Sequence, residues 1–221
     1  MTKINLCRVA EKINQMVLSE IKSNSIENYK DDTLWTDFML GNENMIFKAF
    51  EDPDFDIYEY KREGTYSKDR LYFQKELNKI DASVWSSTHD REKLNEFTTS
   101  RIWRFEAIIE HENNGQRWLE EMQKICSINA PKKLLITYGR TTEGYGKELL
   151  NIATEIAHNI SNSVTDEFII MFGYTIDEIN TKLENGNLLN DVFEIVDFRK
   201  HIKKYCEDSL SIAHDSPNQK T

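Results

Sequence analysis

Glycine and proline are scarce, with 8 and 3 in 221 residues. That leaves little material for a flexible linker, so one domain over residues 1–221 is expected, long enough to bury a sizeable core. Cysteine is equally sparse: Cys7, Cys126 and Cys206 lie far apart, match no metal-ligand spacing and cannot all pair with one another. A disulfide framework is thereby excluded, and a reducing cytoplasm is the expected compartment. Also missing is any segment near the ~20 apolar residues of a membrane-spanning helix, so no membrane partner is expected. From Met1 to Asn24 the apolar positions recur at helical spacing with charges between them, unlike the unbroken apolar run of a signal peptide. Nor is there a basic excess. Lys and Arg number 28 against 38 Asp and Glu, a formal net charge of −10. This balance argues against holding nucleic acid by bulk charge, though not against an enzyme with a local basic groove.

The apolar patterning that is present divides the chain into a helical part over 1–65, an α/β core over 70–200 and a frayed tail over 215–221. Leu6, Val9, Ile13, Val17 and Ile21 mark the first helix, Trp35, Phe38 and Met39 a second apolar face, and Met45 to Phe50 a third. Polarity leaves Asp54 to Asp69 without a reading. Leu77 to Trp85 shows partial two-residue alternation, and Ile102 to Glu112 is a clearer strand, plausibly antiparallel to it; the polar Ser86 to Arg101 between them has room for a short helix. Asn113-Asn114-Gly115 is a turn. The helix Arg117 to Ser127, the strand Lys133 to Tyr138, a helix ending at Ile160 and the strand Phe168 to Phe172 follow. Asp191 to Phe198 reads as a further strand and Arg199 to Ala213 as a closing helix. The order predicts a mixed central β-sheet flanked by helices, of the α/β or α+β class, with the later strands parallel.

Chemistry concentrates at Glu110-His111-Glu112, where an apolar strand runs into two acids. Residues i and i+2 of a strand share a face, so Glu110 and Glu112 project together, and His111 points away as a packing or surface residue. Two close carboxylates need solvent, a proton or a cation to relieve their repulsion. The spacing alone means little: with 38 acids in 221 residues, roughly six acid-x-acid triplets arise by accident. Context adds weight, because Asp81 lies on a separate predicted strand between Ile80 and Ala82.

Asp81, then 28 residues, then Glu110-His111-Glu112, followed by the helix Arg117 to Ser127 and the strand Leu134 to Tyr138, resembles the PD-(D/E)XK nuclease superfamily. Members of this restriction-endonuclease-like group place an Asp on one strand and (D/E)-x-K on the neighbouring strand, then a helix and another core strand. The resemblance covers roughly Glu76 to Tyr138. Ile80 stands in place of the motif's Pro. Glu112 occupies the lysine position, which some restriction endonucleases also fill with Glu. The implied activity is Mg2+-dependent hydrolysis of DNA phosphodiester bonds, of restriction or defence type, with Mn2+ as a substitute. Asp81 and Glu110 would supply hard oxygen ligands, and Glu112 would orient or deprotonate the attacking water or help hold a second ion. Glu76 is a fourth, weaker candidate, and Lys124 replaces the missing cation only if its helix face turns toward the acids. Double-strand cleavage from one site per chain would call for a homodimer.

Blander readings stand beside these. Asp81 and Glu110 are also ordinary strand acids, and Glu112 also suits a solvated strand end. The whole chain would then be a non-catalytic interaction protein on a degenerate nuclease-like fold. Trp85, Trp103 and Trp118 belong by spacing to the core or its margins rather than to a base-stacking surface. Gly139 to Gly144 follows an apolar strand as a phosphate-binding loop would, but no Lys-Ser/Thr pair succeeds the second glycine, so nucleotide hydrolysis is not supported.

Overall fold

Neighbouring residues of the apolar strands are buried in two different cores, which sets a three-layer arrangement with the sheet in the middle. The computed structural model describes residues 4–24, 32–41, 43–60, 67–68, 70–77, 79–87, 103–113, 117–139, 145–160, 166–185 and 189–204. Helix α1 (Leu6–Asn24) begins where Asn5 caps it, its Oδ1 accepting the Arg8 N–H at 2.9 Å. Helices α2 (Asp32–Leu40) and α3 (Met45–Phe50) follow. The strands are β1 (Ile57–Glu59), β2 (Leu71–Leu77), β3 (Ile80–Ser87), β4 (Trp103–His111), β5 (Lys132–Tyr138), β6 (Glu167–Gly173) and β7 (Phe193–Asp197). Between the later strands lie α4 (Trp118–Ser127), α5 (Tyr145–Ile160) and α6 (Ile176–Glu184), and residues 198–204 form a helical segment, α7.

All seven strands belong to one mixed sheet, in spatial order from β1 to β7. The pair β2–β3 is antiparallel; β3–β4 is antiparallel, and β4–β5 and β5–β6 are parallel, as the sequence order predicts. One face meets α1, α2 and α3: Ala107 and Ile109 of β4, Leu134 and Ile136 of β5, and Ile169 and Met171 of β6 join Val9, Ile13, Trp35, Phe38 and Ile46 there. The residues between them, Ile108, Leu135, Ile170 and Phe172, point the other way, onto Trp118, Met122 and Ile125 of α4 and Leu150 and Ala153 of α5. Every residue of β5 is buried, as expected of a strand covered on both faces.

Four features depart from the sequence reading. The strand expected from Leu77 is divided. Leu77 closes β2 and Ile80 opens β3, paired across a hairpin turn that holds Lys79 at a φ of 66°. Strands β1 and β2 occupy stretches without clean alternation, and α6 presents few apolar residues. β7 runs antiparallel to β6 although a helix separates them. The Tyr174 N–H donates to the Val192 carbonyl at 3.2 Å, so the excursion through α6 returns to the end of the sheet it left and makes no crossover. Of the remaining expectations, the short helix beyond Ser87, the turn at 114–115, the loop after Gly139, the Trp103 side chain, the rest of the closing helix and the tail lie outside the described residues. Among the described residues, no helix is long and apolar enough to cross a membrane.

Trp118 anchors α4 to the sheet. It is 1% exposed, and its ring meets that of Phe172 edge-on at 5.4 Å. Trp118→Ala should cost about 3–5 kcal/mol, the usual range for emptying an aromatic core position, measured as a shift in urea midpoint at constant slope.

Candidate active site

Strand register decides which acids meet. Ala82 of β3 pairs with Ile109 of β4, so the next positions, Asp81 and Glu110, stand opposite each other at the strand ends. Residues so placed have Cβ atoms about 4.5–5.5 Å apart and share a face. That face lies toward α4. The helix turns Lys124 inward, and its Nζ lies 2.9 Å from Glu110 Oε2 and also binds the Glu121 carboxylate, one helical turn away. The condition under which Lys124 could replace the missing cation is met.

Glu110 is the most enclosed of the group. Its side chain is 0% exposed, Oε2 approaches the Asp81 N–H at 3.5 Å, and Oε1 is buried without a hydrogen-bond partner. Burial pushes the Glu110 carboxyl up to about 8; Lys124 opposes that rise and the charge on Asp81 adds to it. Asp81 is half-buried, and burial raises it too, against the His111 N–H that donates to its Oδ2 at 2.8 Å and the nearby Lys124 charge. Burial works against the Lys124 ammonium, yet its bonds to Glu121 and Glu110 outweigh it and hold the group above its ordinary value.

Glu112 lies two residues beyond Glu110, past the end of β4. Its N–H donates to the Ile136 carbonyl at 2.9 Å, which continues the β4–β5 ladder and keeps Glu112 on the Glu110 face by parity. On the β3 side, however, its opposite number in the register is Lys79, which already belongs to the hairpin turn. Its charge acts on Arg117. Among the described residues, no cluster of three or more His, Cys, Asp or Glu is placed to hold a metal ion; the register opposes Asp81 and Glu110, and Lys124 joins Glu121 to Glu110. His111 points away from its neighbours, as expected, and packs on the opposite face. It is buried, which lowers its pKa to about 3 and keeps the imidazole neutral.

A cleft of about 770 Å³ opens beside Asp81, lined among others by Thr36 and Asp37 of α2, Lys75 and Glu76 of β2, and Asn113. Glu76 thus borders the same space as Asp81. Its φ of 51° is left-handed, yet the register runs through it unbroken: Lys75 pairs with Ala82 and Leu77 with Ile80, so the position of Glu76 lies opposite Asp81. Sequence reasoning did not single out Asp37 or Glu121. The Glu121-x-x-Lys124 spacing on an amphipathic helix was a usable signal for Glu121, whereas nothing in the sequence marks Asp37.

Two opposed carboxylates with one unpartnered buried oxygen fit Mg2+, which takes hard oxygen donors, often only one or two from protein, and keeps several waters. Without a cation, the same pair makes stability fall with rising pH. The folded state retains a proton on Glu110 up to about pH 8, whereas an ordinary Glu loses it near 4.5, so folding binds protons in that window. Between pH 6.5, where the unfolded imidazole is still half charged, and about 8, His111 contributes equally to wild type and to a Glu110 variant and cancels in their comparison. Glu110→Gln should flatten the decline over that range and be no less stable than wild type at its upper end; urea denaturation at the two pH values measures it, and an unchanged slope would contradict the assignment. Compared with family models, curated proteins and solved structures, the chain matches none of them.

Proposed function

We propose that this protein is a Mg2+-dependent phosphodiesterase that cleaves DNA internally, an endodeoxyribonuclease of the restriction or defence kind. The observation that carries the reading is the facing pair of Asp81 and Glu110 with Lys124 at 2.9 Å from Glu110. The chain order supports it as well: an Asp on β3, a Glu on the adjacent β4, then a helix and a further core strand. This is the order of the PD-(D/E)XK superfamily, with the cation moved from the strand to α4.

Bound Mg2+ would stabilise charge on the phosphate and lower the pKa of a coordinated water. Asp81 and Glu110 are the groups that would hold it. Asp81, half-buried at the cleft and steadied by the His111 N–H, would be the more accessible ligand. Glu110 would have to lose its proton to serve as the second, so metal affinity should rise with pH toward about 8. Lys124 Nζ orients Glu110 Oε2 and keeps positive charge beside the pair. Glu112 and Glu76 flank these two and remain candidates for the water or a second ion. A homodimer would place two such sites on opposite strands of a duplex.

One observation favours a second reading, a non-catalytic interaction protein on a degenerate form of the same fold. Glu110 is 0% exposed and already neutralised by Lys124, and the chain carries a net charge of −10. Plasmid DNA distinguishes the two. The nuclease reading expects nicking that requires Mg2+ or Mn2+ and falls roughly 100-fold or more in Asp81→Ala and Glu110→Ala, the scale of losing a group that acts on the transition state. Lys124→Gln should lose roughly 10–100-fold, as partners that orient metal ligands do. Metal-independent nicking, or full activity in both carboxylate variants, would reject it.

A further inference from the structure

Asp81 is held from behind by a buried polar chain that ends on the other side of the sheet. The His111 N–H points at β3 and meets the Asp81 carboxylate at 2.8 Å. The His111 ring turns to the opposite face, where its Nε2 lies 2.8 Å from the Tyr138 hydroxyl. Trp35 of α2 donates its indole N–H to that same hydroxyl. An indole can only donate, so the hydroxyl accepts from Trp35 and keeps its own hydrogen and a second lone pair, one of which meets Nε2 according to the imidazole tautomer.

We propose that Tyr138 is a positioning residue for Asp81: by anchoring the His111 ring it fixes the adjacent N–H against the carboxylate that faces the cleft. Three observations support this role. Trp35, Tyr138 and His111 are all buried, so water is poorly placed to replace a lost bond. Space for the Tyr138 ring depends on Gly173, its register partner, where a Cβ would come within 2.7 Å of the ring. The third is the position of Trp35, on the helix that carries Thr36 and Asp37 of the cleft wall. Asn113, just beyond His111, donates to Thr36 Oγ1. One hydroxyl therefore ties the cleft wall to the strand end that orients the carboxylate, although Tyr138 itself never reaches the cleft face.

The consequence for metal rests on the phosphodiesterase reading; the positional claim does not, and two measurements separate them. In 15N–1H spectra of the full chain, Asp81→Ala defines the shift of the His111 amide when its acceptor is lost. Tyr138→Phe should move that amide most of the way to the same value and leave amides remote from β4 and β5 in place. Trp35→Phe, which removes only a donor to the hydroxyl, should move it in the same direction and carries the test should Tyr138→Phe not fold. Calorimetry with Mn2+ alone should then show affinity lower by roughly 10–100-fold in these variants, the range for residues that orient metal ligands. An unmoved His111 amide in the variants that fold overturns the proposal. If the amide responds as expected but the wild type binds no Mn2+, the phosphodiesterase reading fails and the positioning role stands.

Discussion

The site depends on one electrostatic constraint, the burial of the Glu110 carboxyl directly opposite Asp81. A carboxylate taken out of water loses far more solvation than a distant charge can return, so it must acquire a proton, a cation or a close ammonium. Lys124 supplies the ammonium for one oxygen of Glu110 and leaves the other buried and unpartnered. Burial also holds a proton on the Glu110 carboxyl up to about pH 8. Under the proposed function, a hard divalent ion would take the place of that proton.

The fold supplies that constraint through ordinary means. From Ala107 to Ile109 β4 is apolar on both faces, because that part lies inside a sheet covered by helices, and its next residue is the buried acid. α4 is pinned by Trp118, Met122 and Ile125, which places Glu121 and Lys124 on one flank of the same helix, over the strand end. On the far face, Trp35, Tyr138 and His111 carry order from α2 to the N–H that holds Asp81. The two hydrophobic cores thus meet the site from opposite sides, and each contributes one polar contact to it.

Much of the architecture was legible because α1 and α4 follow the helical period closely and β4, β5 and β6 carry short apolar runs of strand character. The antiparallel approach of the Asp81 strand to the Glu110 strand was readable as well. The direct opposition of the two acids was not, since it depends on a tight turn at Lys79 and on a register shift between Val84 and Trp85. The same short turn explains Glu112. It shares a face with Glu110 as the two-residue period requires, but it has run past the start of β3. The inward turn of Lys124 was readable only as a condition, because the helical period shows which residues flank the apolar stripe but not which strand end lies beneath them. β2 escaped notice because its inner and outer residues do not alternate, and the direction of β7 because a helix between strands ordinarily signals a crossover.

The most direct measurement is diffraction from crystals soaked in Mn2+ near pH 8, with data collected at the manganese absorption edge. The account predicts an anomalous peak between the Asp81 and Glu110 carboxylates, bonded to an oxygen of each, with Lys124 displaced from or sharing Glu110. Manganese absent from that position at saturating concentration, with Lys124 still closed on Glu110, would contradict it.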